Sequence, residues 1–249
     1  MNQEGKRAVF GRRTVRFYLA VLAVLALQGC ASKLPERGTP EWRKRLGAGE
    51  ALIETTVVPG TALKLGSATG LVDAPIETAW ELFADANQWS QFLWKMKESR
   101  EMKPQGESRM MEVVIEPPGE AQMVGFNDIR FKAEISETVN LESGIWRADY
   151  NALEGNIRRV YGSWQLERYG PKQTLVTFSS FNDFGYPSIL DAAVNLYTER
   201  YLTHWSHDIR DRLKDSAVRL DLEQRAAIRA GRDPSKVAPM IRGLDDFVR

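Results

Sequence analysis

A single cysteine, Cys30, in 249 residues excludes a disulfide framework and any thiolate-rich metal site. Two histidines, His204 and His207, are too few for a centre that needs three imidazoles. The sequence has no G-x-x-x-x-G-K-S/T, no H-E-x-x-H and no G-x-G-x-x-G, so phosphate cradles, zincin sites and dinucleotide turns are not expected. Gly66-Ser67-Ala68-Thr69-Gly70 has the glycines of a nucleophile elbow with the serine misplaced. No cofactor and no metal is expected on these grounds. The longest apolar run, Phe17 to Leu27, has 11 residues, whereas a spanning helix needs about 20. With 43% hydrophobic and 27% charged residues, the chain is neither collagenous, disordered nor a multi-span membrane protein.

What is present is first an asymmetric N-terminus. Residues 1–29 carry five basic residues (Lys6, Arg7, Arg12, Arg13 and Arg16) against Glu4 alone, followed by the apolar run and Leu27-Gln28-Gly29-Cys30. A basic segment, a short apolar segment and a small residue before the cut describe a secretory signal peptide. Arg16 interrupts the apolar residues that a twin-arginine signal would place after Arg12-Arg13, so the general secretion route is preferred. The ending resembles the lipobox of bacterial lipoproteins. That resemblance implies lipidation of Cys30 and, with Ala31 behind it, the periplasmic face of the outer membrane in a diderm host. Removing residues 1–29 leaves 29 basic residues against 32 acids, a charge of about −3. No basic excess remains to neutralise phosphates, so nucleic acid is not an expected partner.

Residues 30–60 read as a tether, broken by Pro35, Gly38, Pro40, Gly47, Gly49, Pro59 and Gly60. A domain is expected over 61–215. Thr61 to Val72 can form a first strand, and Asp73-Ala74-Pro75 starts a helix with Asp73 or Ala74 at the cap and Pro75 in the first turn. A second short helix spans Asn87 to Phe92. The period then switches to two: Trp94, Met96 and Met102; Met111, Val113 and Ile115; Ile129, Phe131, Ala133 and Ile135; Trp146, Ala148 and Tyr150; Val160, Gly162, Trp164 and Leu166. Gln173 to Asn182 is the last strand. Each strand has one wet face, which predicts an antiparallel sheet covered on one side. After Pro187, through Ala230, there is neither Gly nor Pro, and Leu190, Val194, Tyr197, Tyr201 and Trp205 form a helical apolar stripe. A helix laid on a curved sheet can leave a cavity between them. Residues 216–249 read as a helical extension with a C-cap at Gly231, free to pack on the sheet's outer face, extend outward or serve as a docking arm.

Residues 70–102, with Val72-x-Ala74-Pro75 leading to Trp80, Ala84-Asp85 before Trp89, and the strand from Met96 to Met102, resemble the START-like, polyketide cyclase-like superfamily. The resemblance implies an α+β helix-grip fold, a curved antiparallel sheet wrapped around a long C-terminal helix. It also implies a hydrophobic small-molecule or lipid partner, or else cyclase or dehydratase chemistry. The aromatic residues Trp89, Phe92, Phe131, Trp146, Tyr150, Trp164, Phe178, Tyr197 and Tyr201 are core or cavity lining. By strand parity Glu98 and Arg100 share the face of Met96, and Arg158 that of Val160. Charges on a covered face are costly unless paired or used. Either they meet the polar head of a ligand, or strand ends and bulges turn them to solvent. His204 beside Asp208 reads as a surface ion pair in preference to a metal site or proton relay. With no nucleophile–base pair, the sequence favours a binder over an enzyme. A purely structural envelope lipoprotein is the third class.

The N-terminal reading is tested directly. Cys30→Ser should stop processing and abolish incorporation of labelled fatty acid in cells, and unchanged labelling would refute the anchor.

Overall fold

Antiparallel pairing dominates the computed structural model, which describes residues 34–105, 108–123 and 125–237. Cys30 and the signal segment lie outside these residues. The described strands form one eight-stranded sheet, β1 (Leu52–Val57), β2 (Lys64–Val72), β3 (Met96–Gln105), β4 (Ser108–Ile115), β5 (Ile129–Asn140), β6 (Ile145–Gly155), β7 (Arg159–Gly170) and β8 (Gln173–Asp183). They pair in the order β1-β2-β8-β7-β6-β5-β4-β3, every pair antiparallel. The period-two pattern explains the register. Phe131, Ala133 and Ile135 are buried on β5, as are Trp146, Ala148 and Tyr150 on β6 and Val160, Trp164 and Leu166 on β7. A one-residue slip would send each of these sets to solvent.

The sheet begins earlier than expected. The segment read as a tether contains helix α1 (Pro40–Gly47) and the edge strand β1, whose Leu52 to Val57 pair with Thr69 to Lys64. Only Leu52 of that strand is buried, so an apolar period was never written into it. Thr39 caps α1 by accepting from the Trp42 N–H at 3.3 Å, and Trp42 packs beside Tyr169, centroids 6.5 Å apart. Helix α2 (Ile76–Ala84) follows β2 with Pro75 itself in the cap position and no side-chain cap. Asp73 instead accepts from Gln173 Nε2 at 2.9 Å. Asp85 caps the 3₁₀ turn Ala86–Gln91. Pro117-Pro118 ends β4, and the short α3 (Gly119–Met123) leads towards β5.

The C-terminal helix is two helices. α4 (Asp191–Lys214) ends where Asp215 turns extended, and the Asp215 carboxylate accepts from the N–H groups of Ala217 (2.9 Å) and Val218 (3.3 Å) to start α5 (Ser216–Arg229). The absence of Gly and Pro gave no hint of this break, which an Asp cap makes by its own geometry. Gly231, at φ +67°, closes α5 as expected, with the Arg232 N–H reaching back to the Ala227 carbonyl at 2.8 Å. α5 neither lies on the sheet's outer face nor extends outward. It packs on α2, burying Leu222, Ala226 and Ala227, with Arg229 held by the buried Glu81 and Arg225 bonding Asp85 at 2.8 Å.

α4 lies over the inner face of the sheet and approaches it closely at β2. There the inward residues are Gly66, Ala68, Gly70 and Val72, all buried. A β-carbon on Gly66 would stand 2.5 Å from Leu202 Cδ1, and one on Gly70 would stand 2.7 Å from Ser206 Oγ. Gly66→Val should therefore cost about 1–3 kcal/mol by overpacking, read as a lower denaturation midpoint. Ser67→Val, on the opposite face of the same strand, should change stability by less than about 0.5 kcal/mol.

Candidate functional site

Because α4 is seated near β2, it does not cover the inner face of β4 to β6, and aromatic side chains surround a cavity there. Its walls come from β4–β8, the Trp89–Met96 segment, Phe83 of α2, and Tyr197, Tyr201, Trp205 and Ile209 of α4. The space amounts to about 670 Å³ counted with its mouth, of which about 60 Å³ is open to the centre of a water molecule. That open volume of the cavity lies well below the range of about 300–1,000 Å³ for ordinary small-molecule sites. Its open bore holds only about five waters, so it is a narrow space between large rings.

Trp164 is the centre of the wall. Its ring stacks on Tyr150 (centroids 5.8 Å apart) and Phe83 (6.1 Å), and meets Trp89 edge-on at 5.2 Å. Phe178 stacks on Trp205 at 4.7 Å, and Tyr197 on Tyr201 at 6.1 Å. Polar groups are few. Tyr150 Oη donates to Ser180 Oγ at 2.8 Å, Ser180 Oγ to Asn182 Oδ1 at 3.2 Å, Asn182 Nδ2 to Thr198 Oγ1 at 3.2 Å, and Thr198 Oγ1 to the Val194 carbonyl at 3.0 Å. Tyr197 Oη donates to the Glu116 carbonyl at 3.1 Å. Burial raises the phenols of Tyr150, Tyr197 and Tyr201 well above the ordinary tyrosine range, so all three stay neutral at physiological pH. No Asp, Glu, Lys, Arg or His lines the cavity among the described residues.

Eight of the aromatic residues singled out from sequence line this space: Trp89, Phe92, Phe131, Tyr150, Trp164, Phe178, Tyr197 and Tyr201. Trp146 does not; it is buried against Trp80, edge-on at 5.6 Å. The three charged candidates are elsewhere. A register shift between Met96 and Glu98 places a bulge at Lys97, which inverts parity along the rest of β3. Ser99 is therefore buried, accepting from the Ser90 N–H at 2.8 Å. Glu98 and Arg100 are exposed, with Arg100 paired to Glu112 across the strand. Arg158 precedes β7, is exposed, and lies 3.4 Å from Asp183. Ser180 and Asn182 were missed, although they share the parity of Phe178 on β8. An alternation count carried through that strand would have found them.

His204 makes no ion pair with Asp208. Its ring stacks on Trp94, centroids 4.4 Å apart and 13° from parallel, while Asp208 Oδ2 accepts from the Trp94 N–H at 2.7 Å. Desolvation raises the Asp208 carboxyl above its ordinary range, outweighing that hydrogen bond and the neighbouring His204. A carboxyl raised on folding contributes stability below its unfolded pKa and loses it as pH rises through the folded value. Asp208→Asn keeps the acceptor and removes the charge. Its Tm should equal that of the wild type near pH 3 and exceed it at pH 7; equal melting at both would refute the assignment.

Comparison with known proteins fits this geometry. Among curated proteins, none matches the chain in sequence. The STAR-related lipid transfer protein of Xanthomonas axonopodis (fragment 25–204) superposes with a TM-score of 0.53 at 15% identity, covering 66% of this chain and 93% of its own. Human StAR-related lipid transfer protein 5 gives 0.54 at 12% identity, covering 81% of this chain and 96% of its own. The lipid transfer and protein localization domain of human StarD13 gives 0.52 at 12% identity, covering 72% and 98%. These likenesses show the helix-grip fold. Residues 72–201, more than half of the chain, match the family described as "Polyketide cyclase / dehydrase and lipid transport", and this protein belongs to that family.

Proposed function

We propose that this protein is a lipid-anchored envelope protein that binds or transfers a hydrophobic or amphipathic small molecule, such as a lipid or quinone, in the cavity between the sheet and α4. The observation that carries the reading is the composition of the cavity wall: large aromatic rings, neutral phenols, one serine and one asparagine, and no ionised group among the described residues. The family joins lipid transport with cyclase and dehydrase chemistry. Proton transfer needs a base or acid titrating near working pH, and this wall offers only phenols pushed upward. Such a wall binds by excluding water. Burying about 300 Å² of apolar ligand contributes roughly 7 kcal/mol before the costs of association. The anchor at Cys30 and the periplasmic face of the outer membrane rest on Leu27-Gln28-Gly29-Cys30 and Ala31.

Native mass spectrometry of the protein purified from membranes should reveal a co-purified apolar molecule. A panel of lipids, quinones and aromatic acids, assayed for binding and turnover, should show binding only; turnover lost on replacing a lining residue would favour the enzyme. Trp164→Leu should weaken every bound ligand by about tenfold, roughly 1.4 kcal/mol of lost apolar contact, with Tm measured alongside. Arg100→Met and Arg158→Met, both on exposed side chains, should leave affinity and head-group preference unchanged.

A further inference from the structure

We infer that the ligand ends in a hydroxyl group, held by Asn182 and Tyr150 at the polar side of the cavity; this rests on the carrier reading and narrows its substrate class. Ser180 and Asn182 are the two non-aromatic polar residues of the lining, and both are buried, 3% and 7% exposed. Their hydrogen bonds with Tyr150 and Thr198 run one way, from the phenol through Ser180 and Asn182 to Thr198 and the Val194 carbonyl. Every hydroxyl proton in that chain is spent. By the ordinary inventory of donors and acceptors, both donor and acceptor capacity is left on this patch, and Trp89 Nε1 is a further buried donor of the lining without a partner among the described residues. One N–H of Asn182 has no acceptor, and Tyr150 Oη accepts from no described residue.

Both groups belong to side chains that bond the same Ser180 hydroxyl, so they lie on one patch of wall. Gly162 makes room for this patch, since a β-carbon there would collide with the Tyr150 hydroxyl and the Ser179 carbonyl. One spare donor beside one spare acceptor matches an alcohol, which accepts from Asn182 Nδ2 and donates to Tyr150 Oη. A ketone or ether satisfies the donor alone. A carboxylate or phosphate would face the Tyr150 and Asn182 oxygens with no cation in the lining, and an ammonium would be desolvated with no carboxylate. A buried charge without a partner is strongly disfavoured.

The experiment is displacement of diphenylhexatriene from the protein purified from membranes by four ligands on one chain: decanol, decyl methyl ether, decanoate and decylammonium. Decanol should bind at least tenfold tighter than each of the other three at neutral pH. Asn182→Leu and Tyr150→Phe should each reduce that advantage to less than threefold while still binding diphenylhexatriene. Should Asn182→Leu fail to fold, the wild-type series and Tyr150→Phe decide the matter. Decanoate or decylammonium binding as well as decanol overturns the inference, as does an ether that equals the alcohol. Both leave the carrier reading standing. Failure of diphenylhexatriene and all four chains to bind overturns the carrier reading and this inference with it.

Discussion

The approach of α4 to β2 governs the rest of the molecule. A helix is about 10–12 Å wide with its side chains, and it reaches a sheet face closely only where that face carries no bulk. Gly66 and Gly70, facing Leu202 and Ser206, provide such a face on β2. Once α4 is seated there, it cannot also cover the inner face of β4 to β6. The sheet therefore keeps an apolar surface that α4 does not cover. Large rings, Trp164, Tyr150, Phe178 and Phe131 among them, extend into the gap from the sheet, and Tyr197, Tyr201 and Trp205 extend from the helix. Rings of fixed shape fill a wide gap incompletely, and the narrow cavity is the remainder.

Electrostatics are segregated with equal consistency. Arg100 meets Glu112 on the outer face, whereas Arg109 shares the inward parity of Met111 and pairs with Glu101 and Glu137 outside the cavity lining. Glu81 of α2 and Asp85 after it are answered by Arg229 and Arg225 of α5. The cavity wall keeps neutral polar groups, among them hydroxyls, one amide and the Trp89 indole N–H. Neutral polar groups that bond one another tolerate a low dielectric at small cost, whereas unpaired charges do not. This division turns the inner surface into one that sorts ligands by shape and by neutral hydrogen bonding.

α5 packs on both α2 and α4. Packed on α2 and tied to Glu81 and Asp85, it holds the helix that places Phe83 in the cavity wall. The N-terminal α1 and β1 likewise add to the sheet's free edge at β2, the strand on which α4 rests.

Much of this was legible in the residues. Alternation along β5, β6 and β7, the stripe on α4 and the residues around Trp80 and Trp89 sufficed for the helix-grip fold and for eight of the aromatic lining residues, because burial imposes its period directly on sequence. Where burial does not act, the period is silent. Strand β1 has one buried residue and was read as tether, and the break at Asp215 is made by a side-chain cap that leaves composition unchanged. The bulge at Lys97 needs a partner strand to exist at all, so only the paired sheet could turn Glu98 and Arg100 outward. The same holds for the chain from Tyr150 to Thr198, whose members come from β6, β8 and α4. Local sequence determined which faces are apolar; the tertiary structure alone decided which polar atoms meet, because hydrogen bonds are set by distances across strands that lie far apart in the chain.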